Sequence, residues 1–239
     1  MRKKFRSWDE RFLSKRSEFT FKKDHDKGDW DLIDHFPLYV GQKTLARYLA
    51  IYDIFKSCMH VPGDLAEFGS WKGANILYLC KLLNIYSSYT HKEIHCFDTF
   101  EGLQLFDTND HDASNFKDSF AGSLCYMESC LNLFEYNDLV HTHKGDIAET
   151  FPSLMQSRPE LVFSLVYFDT DLYQPTATVL EYILERTFPG AKIVFDEWND
   201  EWFPGEGVAA NEFIRKYSDY FSYDTPLTTP APSLILTRK

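Results

Sequence analysis

The sequence predicts a doubly wound α/β domain, and three observations lead to that prediction. Short apolar runs of strand length alternate with longer stretches whose apolar residues recur at helical spacing. Glycine and proline pairs such as Pro62-Gly63 separate these segments. The last two apolar runs follow each other with no helix between them. We therefore expect a mostly parallel, seven-stranded sheet with an antiparallel C-terminal edge strand.

The predicted elements begin with a helix over Gln42–His60, in which Leu45, Leu49 and Tyr52 lie close to helical spacing. A second helix begins at Gly73, directly after a glycine turn. The predicted strands are Asp64–Phe68, Glu93–Phe97, Leu139–Thr142, Leu161–Phe168, Gly190–Phe195, Tyr220–Asp224 and Ser233–Arg238. The remaining predicted helices are Ala121–Tyr136, Ile147–Gln156, Pro175–Thr187 and Gly207–Tyr217.

Length and composition indicate one enzyme-sized domain. The chain has 239 residues, of which 44% are hydrophobic, and it contains no internal repeat or linker. We expect residues 42–239 to form the domain and residues 1–41 an extension, partly flexible, that serves as a lid or a dimer contact. The apolar runs are far shorter than the ~20 residues of a membrane span, so we expect a cytoplasmic protein. Five scattered cysteines without a CxxC pair indicate reduced, mostly buried thiols.

Charge is distributed unevenly along the chain. The net charge is −11, yet residues 1–27 hold ten Lys or Arg against five Asp or Glu. The acidic body argues against nucleic acid as a partner and favours a small-molecule substrate. The basic N-terminus fits a solvated tail or a contact with an acidic surface. A homodimer, with the aromatic-rich N-terminus covering the site of a second copy, and packing onto the same chain are equally open.

Polar and acidic residues follow each of the five predicted parallel strands. In doubly wound folds, ligands bind at the carboxyl ends of the strands, so these side chains are expected at one edge of the sheet. Carboxylates gathered there repel one another, which a purely structural protein has little reason to tolerate. The residues are Glu67 and Gly69, Asp98, Gly145 and Asp146, Asp169 and Asp171, and Asp196 and Glu197.

The first of these positions is a turn of the form ExGxxxG, from Glu67 to Gly73, between a strand and a helix. Glycines allow a sharp turn and close approach to a ligand, and the helix N-terminus offers free N–H groups. A plain tight turn is the alternative. Asp98 ends the next strand, where a carboxylate can accept both hydroxyls of a ribose. Its alternative role is a helix cap, because Asp98-Thr-Phe-Glu101 has capping-box form.

The second acidic group combines Asp169 and Asp171 with Asp196 and Glu197 on adjacent strand ends. An oxygen-only ligand set suits Mg²⁺, Mn²⁺ or Ca²⁺ rather than zinc. Asp171 can instead cap the helix that Pro175 opens.

Several further residues are candidates for substrate contact. The polar stretch 107–115 is either a substrate lid or a solvated loop, and it holds His111. Tyr173 follows the Asp-Thr-Asp turn, and Trp198 and Trp202 flank the acidic site, where they stack on a sugar or anchor a loop. His141 and His143 fit packed or surface roles.

Taken together, these motifs resemble the macrocin O-methyltransferase family, class I S-adenosylmethionine-dependent enzymes that methylate sugar hydroxyls. The resemblance covers about residues 64–215 and rests on six segments: 65–73, 95–102, 144–146, 168–173, 189–196 and 204–209. It implies a Rossmann-like class I methyltransferase fold, with S-adenosylmethionine and Mg²⁺ or Mn²⁺ as cofactors. The implied acceptor is a sugar hydroxyl of a deoxysugar nucleotide, a glycosylated natural product or a polysaccharide unit.

The resemblance also implies a role for each matching residue. Asp169 or Asp171 would be the catalytic base. Asp169, Asp196 and Glu197 would bind the metal, although the family commonly has Asp-Gly-Asp and Asp-Asp where this chain has Asp169-Thr-Asp171 and Asp196-Glu197. The implied cofactor contacts are Glu67, Phe68, Gly69, Ser70, Trp71 and Gly73 in the first turn, Asp98, Thr99 and Phe100 in the second, Gly145 and Asp146 in the third, and Asp169.

Two other functions compete with methyl transfer. A metal-dependent glycosyltransferase uses a DxD motif after a strand to bind a nucleotide sugar, and Asp169-Thr-Asp171 has that form. The late position of the motif, after an ExGxxxG turn, argues against it. A non-catalytic binding module on the same fold is the other alternative, and the run of strand-end carboxylates argues against it.

Overall fold

The seven predicted strands form one sheet in the computed structural model, which describes residues 33–86 and 91–239. The strand order is β3-β2-β1-β4-β5-β7-β6. Strands β1 to β5 pair in parallel, whereas β7 runs antiparallel to both β5 and β6. The strands are β1 Asp64–Phe68, β2 Ile94–Asp98, β3 Val140–Lys144, β4 Phe163–Phe168, β5 Thr187–Phe195, β6 Phe221–Asp224 and β7 Leu234–Arg238.

Helices cover both faces of this sheet, as a doubly wound fold requires. One face packs against α1, α2 and α3, through residues such as Ile51, Leu79 and Met127. The other packs against α4, α5 and α6, through residues such as Phe151 and Val179. The helices are α1 Gln42–Cys58, α2 Ala74–Tyr86, α3 Leu124–Leu133, α4 Ile147–Ser157, α5 Tyr173–Ile183 and α6 Pro204–Tyr217.

Some predicted boundaries differ from the observed ones. Strand β5 begins at Thr187, three residues earlier than predicted. Thr187 already pairs with Phe163 of β4, and the register between the two strands shifts after this pair, so the strand includes Pro189 and Gly190. Helix α6 begins at Pro204 rather than Gly207, and proline is favoured at the first helical position. The terminal strands pair as predicted, but β7 is inserted beside β5 and β6 forms the outer edge.

The predicted lid or dimer contact lies mostly in residues 1–32, outside the described residues. None of the helices in the described parts combines the length and the hydropathy that a membrane span requires. Cys58, Cys80 and Cys96 are buried free thiols, as predicted, whereas Cys125 is exposed.

Strands β1 and β4 meet at the switch point of the sheet, where the chain turns from one side to the other. The amide of Asp169 donates to the carbonyl of Phe68 at 2.8 Å, so the two strand ends remain joined beyond the last ladder residues. Gly69 permits this approach, because a Cβ at that position would lie 1.9 Å from the Asp169 carbonyl oxygen. The loops after β1 and β4 are therefore held side by side.

Candidate functional site

A cavity of about 440 Å³ opens at the carboxyl ends of β1, β2, β4 and β5. Two cationic residues, Arg47 and Lys72, also line it. Among the lining residues that the structure describes, carboxylates outnumber these cations, so this lining suits a ligand that carries positive charge. The lining carboxylates are Glu67, Asp98, Asp146, Asp169, Asp171, Asp196 and Glu197, all of which the sequence predicted for the site.

The glycine turn after β1 forms one wall of the cavity. Gly69 has a φ of +87° and Trp71 a φ of +47°, and Gly69, Ser70 and Trp71 all line the space. Helix α2 begins at Ala74 directly after the turn, and its first residues also line the cavity. The first N–H groups of a helix have no partner within it, so they are available to a ligand at this wall.

Glu67 is a buried carboxylate with one unpaired oxygen. Only 1% of the residue is exposed; Oε1 accepts a hydrogen bond from Asn75 Nδ2 at 2.9 Å, and Oε2 has no partner among the described residues. Burial raises the pKa of Glu67 to about 8. A buried acceptor without a partner is costly, so this oxygen is suited to a ligand that donates a hydrogen bond.

Asp98 holds the turns after β1 and β2 together. Its Oδ2 accepts from the Trp71 amide at 2.7 Å and its Oδ1 from the Phe100 amide at 2.6 Å. A carboxylate oxygen has room for a second hydrogen bond, so Asp98 can still accept from ligand hydroxyls. The helix-cap alternative is wrong, because the next helical segment begins only at Thr108.

Asp146 combines a structural contact with a position in the cavity wall. Its Oδ1 accepts from the Ala148 amide at 2.8 Å and so caps α4. The preceding Gly145 amide donates to the Asp98 carbonyl at 3.0 Å, which ties the loop after β3 to the end of β2.

Three carboxylates converge in the part of the cavity at the carboxyl ends of β4 and β5. One oxygen from each of Asp169, Asp171 and Glu197 lies within 4.8 Å of the others. Asp171 has a left-handed φ of +63°, which turns the chain at this point. The sequence grouped all four strand-end carboxylates, and the family resemblance implied Asp169, Asp196 and Glu197 as the metal ligands. The structure brings together Asp169, Asp171 and Glu197.

Asp196 instead forms an ion pair with Arg47, a residue that no sequence motif singled out. Arg47 Nη1 lies 2.6 Å from both carboxylate oxygens of Asp196, and Nη2 lies 2.9 Å from Asp169 Oδ2. Tyr167, which is 1% exposed, donates its hydroxyl to Asp196 Oδ1 at 2.5 Å. Asp196 is thus fully engaged by a guanidinium and a phenol.

The convergence of the carboxylates is reflected in their pKa values. Burial, followed by repulsion from Asp196, raises the pKa of Asp169 to about 7, and Arg47 opposes the rise. Burial and the same repulsion raise the pKa of Glu197 to about 9, and burial with Asp169 nearby raises that of Asp171 well above its usual range. Ionising all of these carboxylates without a counter-charge is unfavourable, and a bound cation would supply that charge.

Glu206 positions the two loops that carry these carboxylates, and it was not among the predicted site residues. It is fully buried; Oε1 accepts from the Glu197 amide at 2.9 Å and Oε2 from the Thr170 amide at 3.1 Å. Burial raises the pKa of Glu206 to about 8. The only sequence signal was its place in the segment 204–209.

The four predicted substrate residues do not line the cavity. Tyr173 donates its hydroxyl to Glu212 at 2.8 Å, and Trp198 Nε1 donates to Asn211 at 3.0 Å. Trp202 is 53% exposed and packs on Phe116, and His111 is exposed at a turn with φ +45°. The apolar residues that do line the cavity include Trp71, Leu103, Leu105, Phe120 and Phe203.

Some of the predicted cofactor contacts line the cavity, and others do not. Ser70, Trp71 and Thr99 line the cavity, whereas Phe68 is completely buried in the core behind it. Gly73 packs against the Met127 side chain, and Phe100 contributes its amide to Asp98.

The polar stretch after β2 is docked rather than freely solvated. Asp110, which is completely buried, accepts from the Tyr173 amide at 2.8 Å through Oδ1. Gly205 allows this contact, since a Cβ there would lie 2.0 Å from Asp110 Oδ1. The segment Thr108–Phe116 is therefore fixed against the first residues of α5 and α6.

Comparison with known proteins places the chain in a family. The family model for macrocin O-methyltransferase (TylF) matches residues 2–227. The chain belongs to the macrocin O-methyltransferase family. Its members carry the class I methyltransferase fold, and this protein is an S-adenosylmethionine-dependent O-methyltransferase.

Three relatives illustrate the position of this macrocin O-methyltransferase family member. A Streptomyces olivaceus enzyme, 8-demethyl-8-(2,3-dimethoxy-α-L-rhamnosyl)-tetracenomycin-C 4′-O-methyltransferase, is 25% identical over 209 residues, which cover 84% of this chain and 74% of that protein. The calicheamicin methyltransferase CalS11 is 26% identical with a TM-score of 0.79, covering 95% of this chain and 90% of its own. The O-methyltransferase NovP, at 18% identity and a TM-score of 0.68 over 81% of this chain and 80% of its own, supports the fold.

Proposed function

We propose that the protein methylates a sugar hydroxyl, using S-adenosylmethionine and a divalent cation, Mg²⁺ or Mn²⁺. The observation that carries the proposal is the cavity itself. The glycine turn with its unpaired Glu67 oxygen forms one side, and the converging oxygens of Asp169, Asp171 and Glu197 form the other. The two groups of residues therefore face one shared space.

The residues at the first side fit S-adenosylmethionine. Glu67 Oε2 would accept a hydrogen bond from the ammonium of the methionine part, Asp98 from the ribose hydroxyls and Asp146 from the adenine amino group. When bound, the cofactor supplies an electrophilic methyl group on a cationic sulfonium. The acidic lining favours that charge.

The residues at the second side fit a hard divalent cation, because all three offer carboxylate oxygen. When bound, such an ion lowers the pKa of an acceptor hydroxyl and fixes its oxygen. We assign Asp169 and Glu197 to the cation. Asp196 stays with Arg47 and Tyr167, which hold it in place by three hydrogen bonds.

We assign to Asp171 the role of the base that accepts the hydroxyl proton. Asp169 Oδ2 is already engaged by Arg47 at 2.9 Å, whereas Asp171 accepts no hydrogen bond from the described residues. With a cation bound, the carboxyl group of Asp171 would be ionised. It would then take the hydroxyl proton as the carbon–oxygen bond forms and the methyl–sulfur bond of the cofactor breaks, which leaves S-adenosylhomocysteine. Glu206, through the amides of Thr170 and Glu197, keeps this group of loops aligned.

The rim of the cavity favours an acceptor with an apolar part. Trp71 is 43% exposed and Phe120 is 44% exposed, and their rings meet edge to face at 6.0 Å. Such rings can pack against an aglycone while the sugar reaches the carboxylates. The names of the relatives describe a rhamnosylated tetracenomycin and a TDP-rhamnose as methylated substrates. We therefore propose a deoxysugar, in a glycosylated natural product or as a sugar nucleotide.

Calorimetric binding separates methyl transfer from the glycosyltransferase alternative. We expect saturable binding of S-adenosylhomocysteine that weakens in Asp98→Ala. Saturable binding of a nucleotide sugar with no heat from S-adenosylhomocysteine would reject the methyltransferase proposal.

The metal is tested by methyl transfer with EDTA and with added Mg²⁺ in wild type, Asp169→Ala and the matched control Asp138→Ala. Asp138 is an exposed aspartate that precedes β3, whereas the cavity lies at the carboxyl ends of the strands. We expect EDTA and Asp169→Ala to abolish turnover and Asp138→Ala to leave it unchanged. Turnover that survives both EDTA and Asp169→Ala would remove the cation from the mechanism.

A further inference from the structure

A second group of metal-binding side chains lies at the opposite end of the sheet from the cavity. Asp64 opens β1 and Glu93 directly precedes β2, whereas the methyl-transfer cavity is at the carboxyl ends of these strands. His95 lies opposite His141 in the ladder between β2 and β3. Side chains alternate along a strand, so these residues, with His143 two positions further along β3, share one face of the sheet.

Three of these residues bring possible ligand atoms close together. One oxygen each of Asp64 and Glu93 and one ring nitrogen of His95 lie within 4.8 Å of one another. The separation between His95 Nε2 and Asp64 Oδ2 is 3.4 Å. Two ligands about 2.0–2.1 Å from a tetrahedral ion lie about 3.4 Å apart. The spacing thus equals that of two ligands on one tetrahedral ion.

Each of the three ligands is also oriented through its other polar atom. The Glu93 amide donates to Asp64 Oδ1 at 3.1 Å, which leaves Oδ2 for the ion. His95 Nδ1 lies 3.1 Å from His143 Nε2, and Glu93 Oε2 lies 2.6 Å from His141 Nε2. Metal-binding histidines and carboxylates are typically held by such outer partners, which fix the ligand orientation.

The neighbouring lysine and arginine make their direct contacts with groups other than these two carboxylates. Among the described residues, their ion-pair partners are histidines, and no lysine or arginine is paired with either. The nearby Lys92 donates to Val61 and Gly63 carbonyls and to Ser164 Oγ, and Arg158 pairs with Glu160. Both cations also act electrostatically on Asp64, and Arg158 acts on Glu93 as well, but neither is in direct contact with these carboxylates.

We propose that Asp64, Glu93 and His95 form a binding site for a Zn²⁺-class divalent transition metal, separate from the methyl-transfer cavity. One imidazole with two carboxylates is a ligand set that zinc accepts, and solvent completes the coordination. The ion would join the beginnings of β1 and β2, and His141 and His143 on β3 would support it from outside. The bound ion would therefore stabilise the pairing of these strands at the end of the sheet where they begin.

Zinc titration of the metal-free full-length chain tests the proposal. The variants are Glu93→Gln and Asp64→Asn, with Glu128→Gln as the matched control. Glu93 is 41% exposed, so its amide variant is expected to fold. Asp169→Asn is titrated in parallel to remove binding in the catalytic cavity. We expect wild type, Glu128→Gln and Asp169→Asn to share a Zn²⁺ site that Glu93→Gln and Asp64→Asn lack.

Two further readouts separate this site from scattered surface binding. Co²⁺ bound at a tetrahedral site with an imidazole ligand gives a visible absorption band, which we expect in Asp169→Asn and not in Glu93→Gln. His143→Gln, which removes only an outer partner, is expected to weaken Zn²⁺ binding about 10–100-fold. Equal Zn²⁺ stoichiometry and affinity in wild type, Glu93→Gln and Asp64→Asn would overturn the proposal.

Discussion

Arg47 is expected to stabilise the metal-free protein by neutralising two carboxylates of the site. Its guanidinium lies 2.6 Å from Asp196 and 2.9 Å from Asp169, and Asp196 is only 4% exposed. Arg47→Met keeps much of the aliphatic stem and removes the charge. Asp169 and Asp196 then face each other without a counter-ion, so one of them must take up a proton or the local structure must open.

The size of the effect follows from the exposure of the partners. Removing one member of a buried ion pair typically costs about 3–5 kcal/mol. Arg47 and Asp169 are 26% and 29% exposed, so water offsets part of this cost. We expect a loss of about 2–3 kcal/mol in the free energy of unfolding. For a domain of this size that corresponds to about 4–12 °C in Tm.

Thermal unfolding with EDTA and with excess Mg²⁺ measures the effect. Lys43→Met is the matched control, because Lys43 is an exposed cation on the same helix. We expect Arg47→Met to lower Tm in EDTA and to recover most of the loss in Mg²⁺, while Lys43→Met changes little in either. Equal Tm values for the two variants in EDTA would refute the role assigned to Arg47.

Two further predictions concern the glycine turn and its carboxylate. Burial raises the pKa of Glu67 from 4.5 to about 8, so the folded state keeps a proton that the unfolded state releases, and stability falls as pH rises through that window. In Glu67→Gln, the free energy of unfolding should fall less steeply with pH, by up to about 1.4 kcal/mol per pH unit. Urea unfolding at several pH values measures this dependence, and the same pH dependence in the variant and the wild type would contradict the burial argument. Gly69→Ala should unfold the protein or cost about 3 kcal/mol or more, because its Cβ would lie 1.9 Å from the Asp169 carbonyl oxygen at a φ of +87°. Gly145→Ala, whose Cβ would meet a Thr150 methyl at 3.1 Å, is the milder comparison, and equal Tm values for the two would contradict the prediction.

The strand-end carboxylates could be predicted from sequence because their positions follow from topology. Asp98, Asp169 and Glu197 all lie at the carboxyl ends of parallel strands, and in a doubly wound fold these ends lie on one side of the sheet. Their proximity therefore follows from the strand pattern alone, and the side-chain packing need not be known. The alternation of short apolar runs and helical periods was sufficient for the fold class. The insertion of β7 between β5 and β6 depends on tertiary pairing, so the local pattern did not show it.

Contacts made by side chains across the fold could not be predicted in this way. Arg47 reaches Asp196 only because α1 packs over β4 and β5, and nothing in its own helix distinguishes it from Lys43. Trp198 was expected near the substrate, but the close approach of Gly207 to the Trp198 carbonyl directs that loop toward α6. Glu206 had no signal beyond its motif, since its partners are backbone amides of distant loops.

The most direct test of the proposed function is the destination of the methyl group. The enzyme would be incubated with S-adenosylmethionine carrying a deuterated methyl group and with acceptors that bear rhamnose, as glycosides and as a sugar nucleotide. Mass spectrometric fragmentation would locate the label, with EDTA and with Mg²⁺ restored. We predict the label on a sugar oxygen, lost in EDTA and regained with Mg²⁺. Label on the aglycone, or transfer undiminished in EDTA, would contradict the proposal.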